Sequence, residues 1–228
     1  MKKKNTESLV DKTANQIIHF ITQNNLKPQD KIPTEIELMK MLEVSRSTIR
    51  EAVKLLISRN ILESRQGAGT FVSKKRGIPN DPLGISFFKY DASLVLELVE
   101  VRLIFEPEIA ALAAVNATQE QINKMKDICS RTEELIRQGE IYYREDLMLH
   151  HAIAAGSGNR IIEHLVPIIH SSIRQSILAT SDSLKKETII YHRRCVEAIA
   201  AHDFQSARLA ILMHLNINRE YLLSHRKK

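Results

Sequence analysis

The chain has 228 residues, 43% of them hydrophobic and 26% charged, which is ordinary for a globular protein and enough for one large core or two small ones. No apolar run approaches the roughly 18 residues of a membrane span, and the basic start MKKKNTESLV has no hydrophobic stretch behind it, so neither a transmembrane protein nor a secretory signal is expected and the location implied is cytoplasmic. The formal net charge of +6 is uneven, with 15 Lys and Arg against 8 Asp and Glu in residues 1–78 and 18 against 19 in residues 79–228.

A basic first third suits a polyanion, because neutralising phosphates releases counterions. Residues 6–25 place Val10, Ala14, Ile17, Ile18 and Ile21 at helical spacing, and LKPQDKIP ends that helix in a proline-bearing loop. PTEIELMKMLE starts a second helix with a capping box, Thr34 at the N-cap and Glu37 three residues on. A third helix starts at Ser45 and carries Ile49, Val53, Leu56 and Ile57 on one stripe. ILESR and TFVSKK, split by QGAG, predict a hairpin. Helix, helix, turn, helix and hairpin is the order of a winged helix-turn-helix. Its third helix would enter the major groove, where Arg46 and Arg50, four apart on one face, suit guanine O6 and N7, and the hydroxyls of Ser45, Ser47 and Thr48 suit phosphates.

The stretch KIPTEIELMKMLEVSRSTIREAVKLLISRNILESRQGAGTFV resembles the DNA-binding domain of the GntR family of transcription regulators. The resemblance implies that Arg46, Ser47, Thr48 and Arg50 read an operator and that Gln66 and Gly67 at the wing tip approach the minor groove. It departs at Ile36, where relatives close to FadR carry an arginine, so the operator contact made there does not carry over.

KKRGIPNDP reads as an interdomain linker, which divides the chain into a winged helix-turn-helix domain at 1–78 and a second domain at 79–228. From there only helical patterns follow: a short one near 82–89, then 92–115, 118–138, 141–155, 159–179, 184–201 and 203–224, with Pro107 and Pro167 expected to kink or break theirs. The fold class is thus mainly α, a winged helix-turn-helix followed by an all-α bundle of six or seven helices. Cys129 and Cys195 each sit in a helical pattern and fit reduced core thiols rather than a disulfide or a zinc motif. Without β–α alternation or a glycine-rich phosphate loop, a dinucleotide enzyme is not expected.

Asp146 and His150, in DLMLHHAIAAGSGN, share one face of a helix, a carboxylate and an imidazole one turn apart. Two ligands make a weak metal site. His192 and His214 can face the core and are candidates to complete it, though each alone fits a hydrogen-bonded buried histidine, and His151, His164, His170, His202 and His225 have no stronger claim. Arg102 stands four residues before Glu106, which suits an internal ion pair, and Asn159 either lines a cavity or caps the next helix.

EVRLIFEPEIAALAA, DLMLHHAIAAGSGN and YHRRCVEAIAAHDFQSARLAILMHL together resemble the FCD effector domain of the FadR subfamily. That resemblance implies metal ligation by Asp146, His150, His192 and His214, an effector pocket with Arg102 and a candidate Asn159, and dimerisation through residues 79–228. The ion implied is divalent, zinc first, with nickel or manganese as the other options. The function implied is a repressor, not an enzyme, that binds a pseudo-palindromic double-stranded DNA operator as a homodimer under the control of a small carboxylate, with no membrane partner. The alternatives are a metal-dependent hydrolase-like domain or a purely structural metal fused to the DNA-binding module. Against the hydrolase, no HExxH motif is present, and Glu145 points about 100° away from Asp146 on its helix.

Overall fold

A computed structural model of the chain describes residues 7–75, 77–79, 81–89, 91–171 and 183–225. The chain divides into two compact units, Met1–Pro82 and Leu83–Lys228. Among the described residues the first holds three helices and a hairpin, and the second holds six helices.

In the first unit, α1 (Leu9–Gln23) begins where the Ser8 side chain accepts the amide of Asp11, one residue ahead of its first apolar-stripe position, Val10. Helix α2 (Glu35–Leu42) has the predicted capping box: Thr34 accepts from the Glu37 amide, and the Glu37 carboxylate accepts from the Thr34 amide. Glu43 ends it in the left-handed region at φ 53°, a conformation that costs a non-glycine residue of order 1 kcal/mol and turns the chain sharply enough for Ser45 to cap α3 (Arg46–Ser58) two residues later. Strands β1 (Leu62–Arg65) and β2 (Gly69–Val72) pair antiparallel from Leu62 opposite Val72 to Arg65 opposite Gly69. Lys31 bridges Phe71 and extends the wing by one residue pair. Gly69 adopts φ +114°, which favours glycine; a Cβ there would also displace the flexible end of Lys31, whose Cε lies 2.8 Å away. Ile17, Leu38, Ile49, Leu56 and Leu62 are sealed in the core, and each contributes about 1.5–3 kcal/mol by burial.

The second unit is an all-α bundle. A single 3-10 turn at Ile85–Phe87 stands where a short helix was expected. It is followed by α4 (Ala92–Asn116), α5 (Gln119–Gln138), α6 (Tyr143–Gly156), α7 (Arg160–Ser171), α8 (Lys185–Ala200) and α9 (Phe204–Ser224). The part of the expected 159–179 helix beyond Ser171 lies outside the described residues. Pro107 sits inside α4 without ending it, and α7 likewise runs through position 167. Helix α4 packs along α9 and against α6 and α8, with Ala110, Ala113 and Ala114 fully buried, so small side chains set the close approach. Gly156 does the same at the end of α6, where a Cβ would meet Met125 Cε at 2.6 Å. Both cysteines are buried free thiols, and burial first, then the neighbouring Glu133, pushes Cys129 up to about 12.

Candidate metal centre and nucleic-acid surface

Helix α6 has no single apolar stripe, yet it buries Asp146 and His150 one turn apart on the side that faces the bundle. Helices α8 and α9 bury His192 and His214 against the same place, each flanked by core residues, Cys195, Val196 and Ile199 on one and Ile211 and Leu215 on the other. One donor atom from each of Asp146, His150, His192 and His214 lies within 4.8 Å of every other. At ligand bonds of about 2.0–2.2 Å four tetrahedral donors stand about 3.3–3.6 Å apart, so closing the set on one ion takes inward shifts of up to about 1 Å. His192 Nε2 is 3.5 Å from Asp146 Oδ1, His150 Nε2 is 4.0 Å from Asp146 Oδ2, and the His192 and His214 rings are 4.6 Å apart.

The donor chemistry fits a metal ion. His192 is 1% exposed, and neither of its ring nitrogens has a hydrogen-bond partner among the described residues. Leaving a buried polar group unpaired costs about 1–3 kcal/mol, and an ion accepting the imidazole lone pair would remove part of that cost. Burial, then the neighbouring imidazoles and Arg102, holds His192 and His214 well below the usual histidine range, so both present the neutral form that ligation requires.

A second carboxylate reaches this centre, one that the spacing along α6 did not reveal. Glu106 of α4 is buried, and its Oε2 lies 2.7 Å from His150 Nδ1. Arg102, also buried, donates to both Glu106 oxygens, from Nε at 2.5 Å and from Nη2 at 3.2 Å. The i,i+4 ion pair legible in the sequence therefore forms, but inside the bundle, with Arg102 Nη2 3.3 Å from His150 Nε2. Burial alone would pull the Arg102 guanidinium down; the Glu106 and Asp146 carboxylates outweigh it and raise it further. Beside the cluster, Glu106, Ile109, His150, Ile153, Val166 and Ile211 line a cavity of about 10 Å³, room for about one water.

Of the two readings of Asn159, the cap is the one the structure shows. The residue is exposed, and its Oδ1 accepts the amides of Ile161 and Ile162 at 2.9 and 3.4 Å, which spends the side chain on capping α7. His202 ends α8 at φ 57° with Nδ1 2.8 Å from the Ala114 carbonyl, and His225 stacks on Tyr221.

In the first unit, Ser45 caps α3 by accepting the Thr48 amide, and its hydroxyl also lies 2.9 Å from Ser47 Oγ and 2.8 Å from Thr48 Oγ1. Ser45 is thus largely occupied in holding the helix start. Arg46 and Arg50 project from the first turns with side chains 67% and 58% exposed, and Glu35 of α2 stands between them, 3.8 and 3.9 Å from their Nε atoms. Gln66 and Gly67 are exposed at the wing turn, where Gly67 adopts φ +71°. The wing stem has a fixture that sequence reasoning missed: Arg65 lies 4.2 Å over the Phe71 ring and bonds Glu63 and Gln29. Its only signal was a basic residue at the end of a β-prone run. Among the described residues no helix is long and apolar enough to cross a membrane.

Residues 9–72 match the family described as bacterial regulatory proteins, gntR family, and residues 97–217 match the FCD domain. Over 213 residues the chain is 29% identical to the HTH-type transcriptional regulator LutR of Bacillus subtilis, with 90% of this chain and 96% of that protein covered. It is 28% identical over 219 residues to the Uxu operon transcriptional regulator of Escherichia coli, covering 90% and 82%. Among solved structures, a GntR protein of Streptococcus agalactiae is 36% identical and superposes with a TM-score of 0.84 over 92% of this chain and 99% of that one.

Proposed function

The chain belongs to the GntR family of transcription regulators, with an FCD domain behind its DNA-binding unit, and on that premise we propose that it is a cytoplasmic repressor whose hold on DNA is set by a small carboxylate bound beside a metal ion. The observation that carries the sensor half of this reading is the buried Asp146, His150, His192 and His214 set, with both His192 nitrogens lacking hydrogen-bond partners among the described residues. These four residues would hold the ion. Three imidazoles and one carboxylate suit zinc, nickel or manganese, and zinc is the first choice for a set rich in nitrogen. When bound, the metal supplies a Lewis-acidic centre that an oxygen of the effector can ligate.

The chemistry of the neighbourhood supports an anion. Arg102 and a divalent ion together outweigh Asp146 and Glu106, so the loaded site is net positive and attracts an anion, with the Arg102 fork itself held by Glu106. A cavity of about 10 Å³ is too small for such an acid, so binding requires the helices around Ile109, Ile153, Val166 and Ile211 to part. An effector that favours the parted state shifts the protein toward it by no more than its differential affinity for the two states.

The first unit would deliver Arg46, Ser47, Thr48 and Arg50 to base edges and phosphates, with Gln66 and Gly67 at the adjoining minor groove. A homodimer on a pseudo-palindromic operator is supported by α4, which leaves Val101, Ile104, Phe105, Leu112 and Val115 exposed at helical spacing, an apolar stripe of the kind that marks an interface.

The testing experiment is thermal unfolding of the full chain, zinc-loaded and chelator-stripped, against hydroxy acids, sugar acids and dicarboxylates. One acid raising the midpoint of the loaded protein with concentration, and losing that effect after stripping, is the expected result. If no acid acts while stripping alone collapses the midpoint, the metal is structural and the sensor reading falls.

A further inference from the structure

We propose that Lys31 is a phosphate-binding residue of the wing, seated against Gly69 so that its ammonium meets the DNA backbone where Gln66 and Gly67 approach the minor groove. The inference rests on the DNA reading above and adds a residue that neither the spacing along α3 nor the wing turn includes.

The segment before α2 is stitched to the outer edge of β2. The Gln29 amide donates to the Val72 carbonyl at 2.8 Å, the Val72 amide to the Asp30 carbonyl at 2.9 Å, and the Ile32 amide to the Thr70 carbonyl at 3.0 Å. These bonds hold Lys31 opposite Phe71. Its side chain runs from there to Gly69, where the place a Cβ would take lies 2.8 Å from Lys31 Cε and 3.3 Å from Nζ. Gly69 pairs with Arg65 at the last rung of the hairpin, so a cation from outside the hairpin stands at the base of its turn.

Cations of α3 and the wing stem already have carboxylates: Arg46 and Arg50 share Glu35, Lys54 bonds Glu51, and Arg65 bonds Glu63. Lys31 is exposed, and among the described residues it makes no ion pair. Glu37, the carboxylate on which its charge acts, already accepts from the Thr34 amide and hydroxyl. A phosphate can therefore take the Lys31 ammonium without displacing a partner, and a compact ammonium on a flexible stem binds phosphate as a point charge. A lysine on an edge strand also guards against strand-on-strand association, but that role releases no counterions from DNA.

The experiment is fluorescence anisotropy of the full chain on a labelled duplex of scrambled sequence, between about 50 and 200 mM salt. It compares wild type with Lys31→Gln, Lys31→Arg, Lys126→Gln, which makes the same charge change on α5, and the double variant Arg46→Ala with Arg50→Ala. In Lys31→Gln the slope of log affinity against log salt falls by about 0.9 for each bound chain, so a four-fold rise in salt costs that variant roughly 3.5-fold less than wild type. Lys31→Arg and Lys126→Gln keep the wild-type slope. A wild-type slope in Lys31→Gln, with binding weakened in the double arginine variant, overturns the Lys31 contact alone. Wild-type binding in both removes the DNA reading of this unit, and the inference with it. An equal fall in Lys126→Gln also overturns the contact, because net charge would then be the cause.

Discussion

The protein contains two arginine–glutamate arrangements built for opposite ends. In the first unit Arg46 and Arg50 flank Glu35 at 3.8 and 3.9 Å with all three side chains open to water. In the second, Arg102 grips Glu106 at 2.5 Å with both side chains at most 6% exposed. The exposed pairs are screened and worth about 0–1 kcal/mol each, so the arginines can leave Glu35 for a phosphate or a base at little cost. The buried pair has surrendered its hydration, and neither partner can be removed without leaving an uncompensated charge. Burial separates a cation available to a partner from a cation that organises a site.

The hardest break of that contrast is Arg102→Ala. Removing one member of a buried pair costs about 3–5 kcal/mol, which for a unit of this size lowers the unfolding midpoint by roughly 10 °C. Differential scanning calorimetry of the metal-stripped chain checks it, and a midpoint unchanged within a degree would show that the pair is wetter than its burial implies. Replacing both partners, as Arg102→Met with Glu106→Leu, recovers much of the loss, because the stranded charge is gone.

The exposed side yields to Arg50→Ala, with its effect on DNA rather than on folding. Loss of a bidentate base contact weakens specific operator binding by about 1–3 kcal/mol, about 5- to 150-fold in affinity, while metal content and midpoint stay as they are. Unaltered operator affinity in fluorescence anisotropy would take Arg50 off the reading face.

Protons sharpen the same comparison, since the buried centre holds His192 and His214 below the ordinary histidine range. His192 and His214 have folded-state pKa values depressed below the unfolded value of about 6.5, with burial the first cause. The unfolded chain therefore binds more protons at acid pH, and stability that is present above about pH 6.5 is lost as the pH falls below it, by up to about 1.4 kcal/mol per pH unit for each group. Urea melts of the stripped protein between pH 8 and pH 5 measure this, and zinc at saturation keeps or steepens the slope, because bound metal holds the imidazoles deprotonated in the folded state. A midpoint that stays level or rises on acidification would contradict the burial of neutral imidazoles.

How much of this could be read from the sequence depended on whether the determinant was local. The starts of α2 and α3 were legible because Thr34, Glu37 and Ser45 act on amides three residues away. The linked pair Asp146 and His150 follows from 3.6-residue periodicity, but nothing in spacing ties them to His192 and His214; that grouping came from the resemblance to the FCD domain. Glu106 was visible only as the i,i+4 partner of Arg102. Helix α4 is apolar on most sides, so its pattern does not say which face meets α6, and only tertiary packing brings the carboxylate to His150. Asn159 shows the limit at one residue, since a cap and a cavity contact ask for the same side chain. The size of the cavity is set by how Ile109, Ile153, Val166 and Ile211 meet across four helices, which no local pattern encodes.

The smallest effect belongs to Glu35→Gln, and it tests whether exposure leaves Arg46 and Arg50, the arginines proposed to read DNA, independent. The substitution keeps the side-chain shape and removes a charge that the two guanidinium groups share. Stability should move by less than about 0.5 kcal/mol, because exposed pairs of this kind are nearly neutral. Affinity for DNA of any sequence should rise a few-fold at low salt and converge on wild type as salt is raised, since a screened charge is all that has gone. Anisotropy titrations with operator and scrambled duplexes at two salt concentrations read both arms. A selective loss for the operator would reverse the conclusion, because it would mean that Glu35 aligns Arg46 and Arg50 or itself accepts from a cytosine amine, and that the open pair is as much a fixture as the buried one.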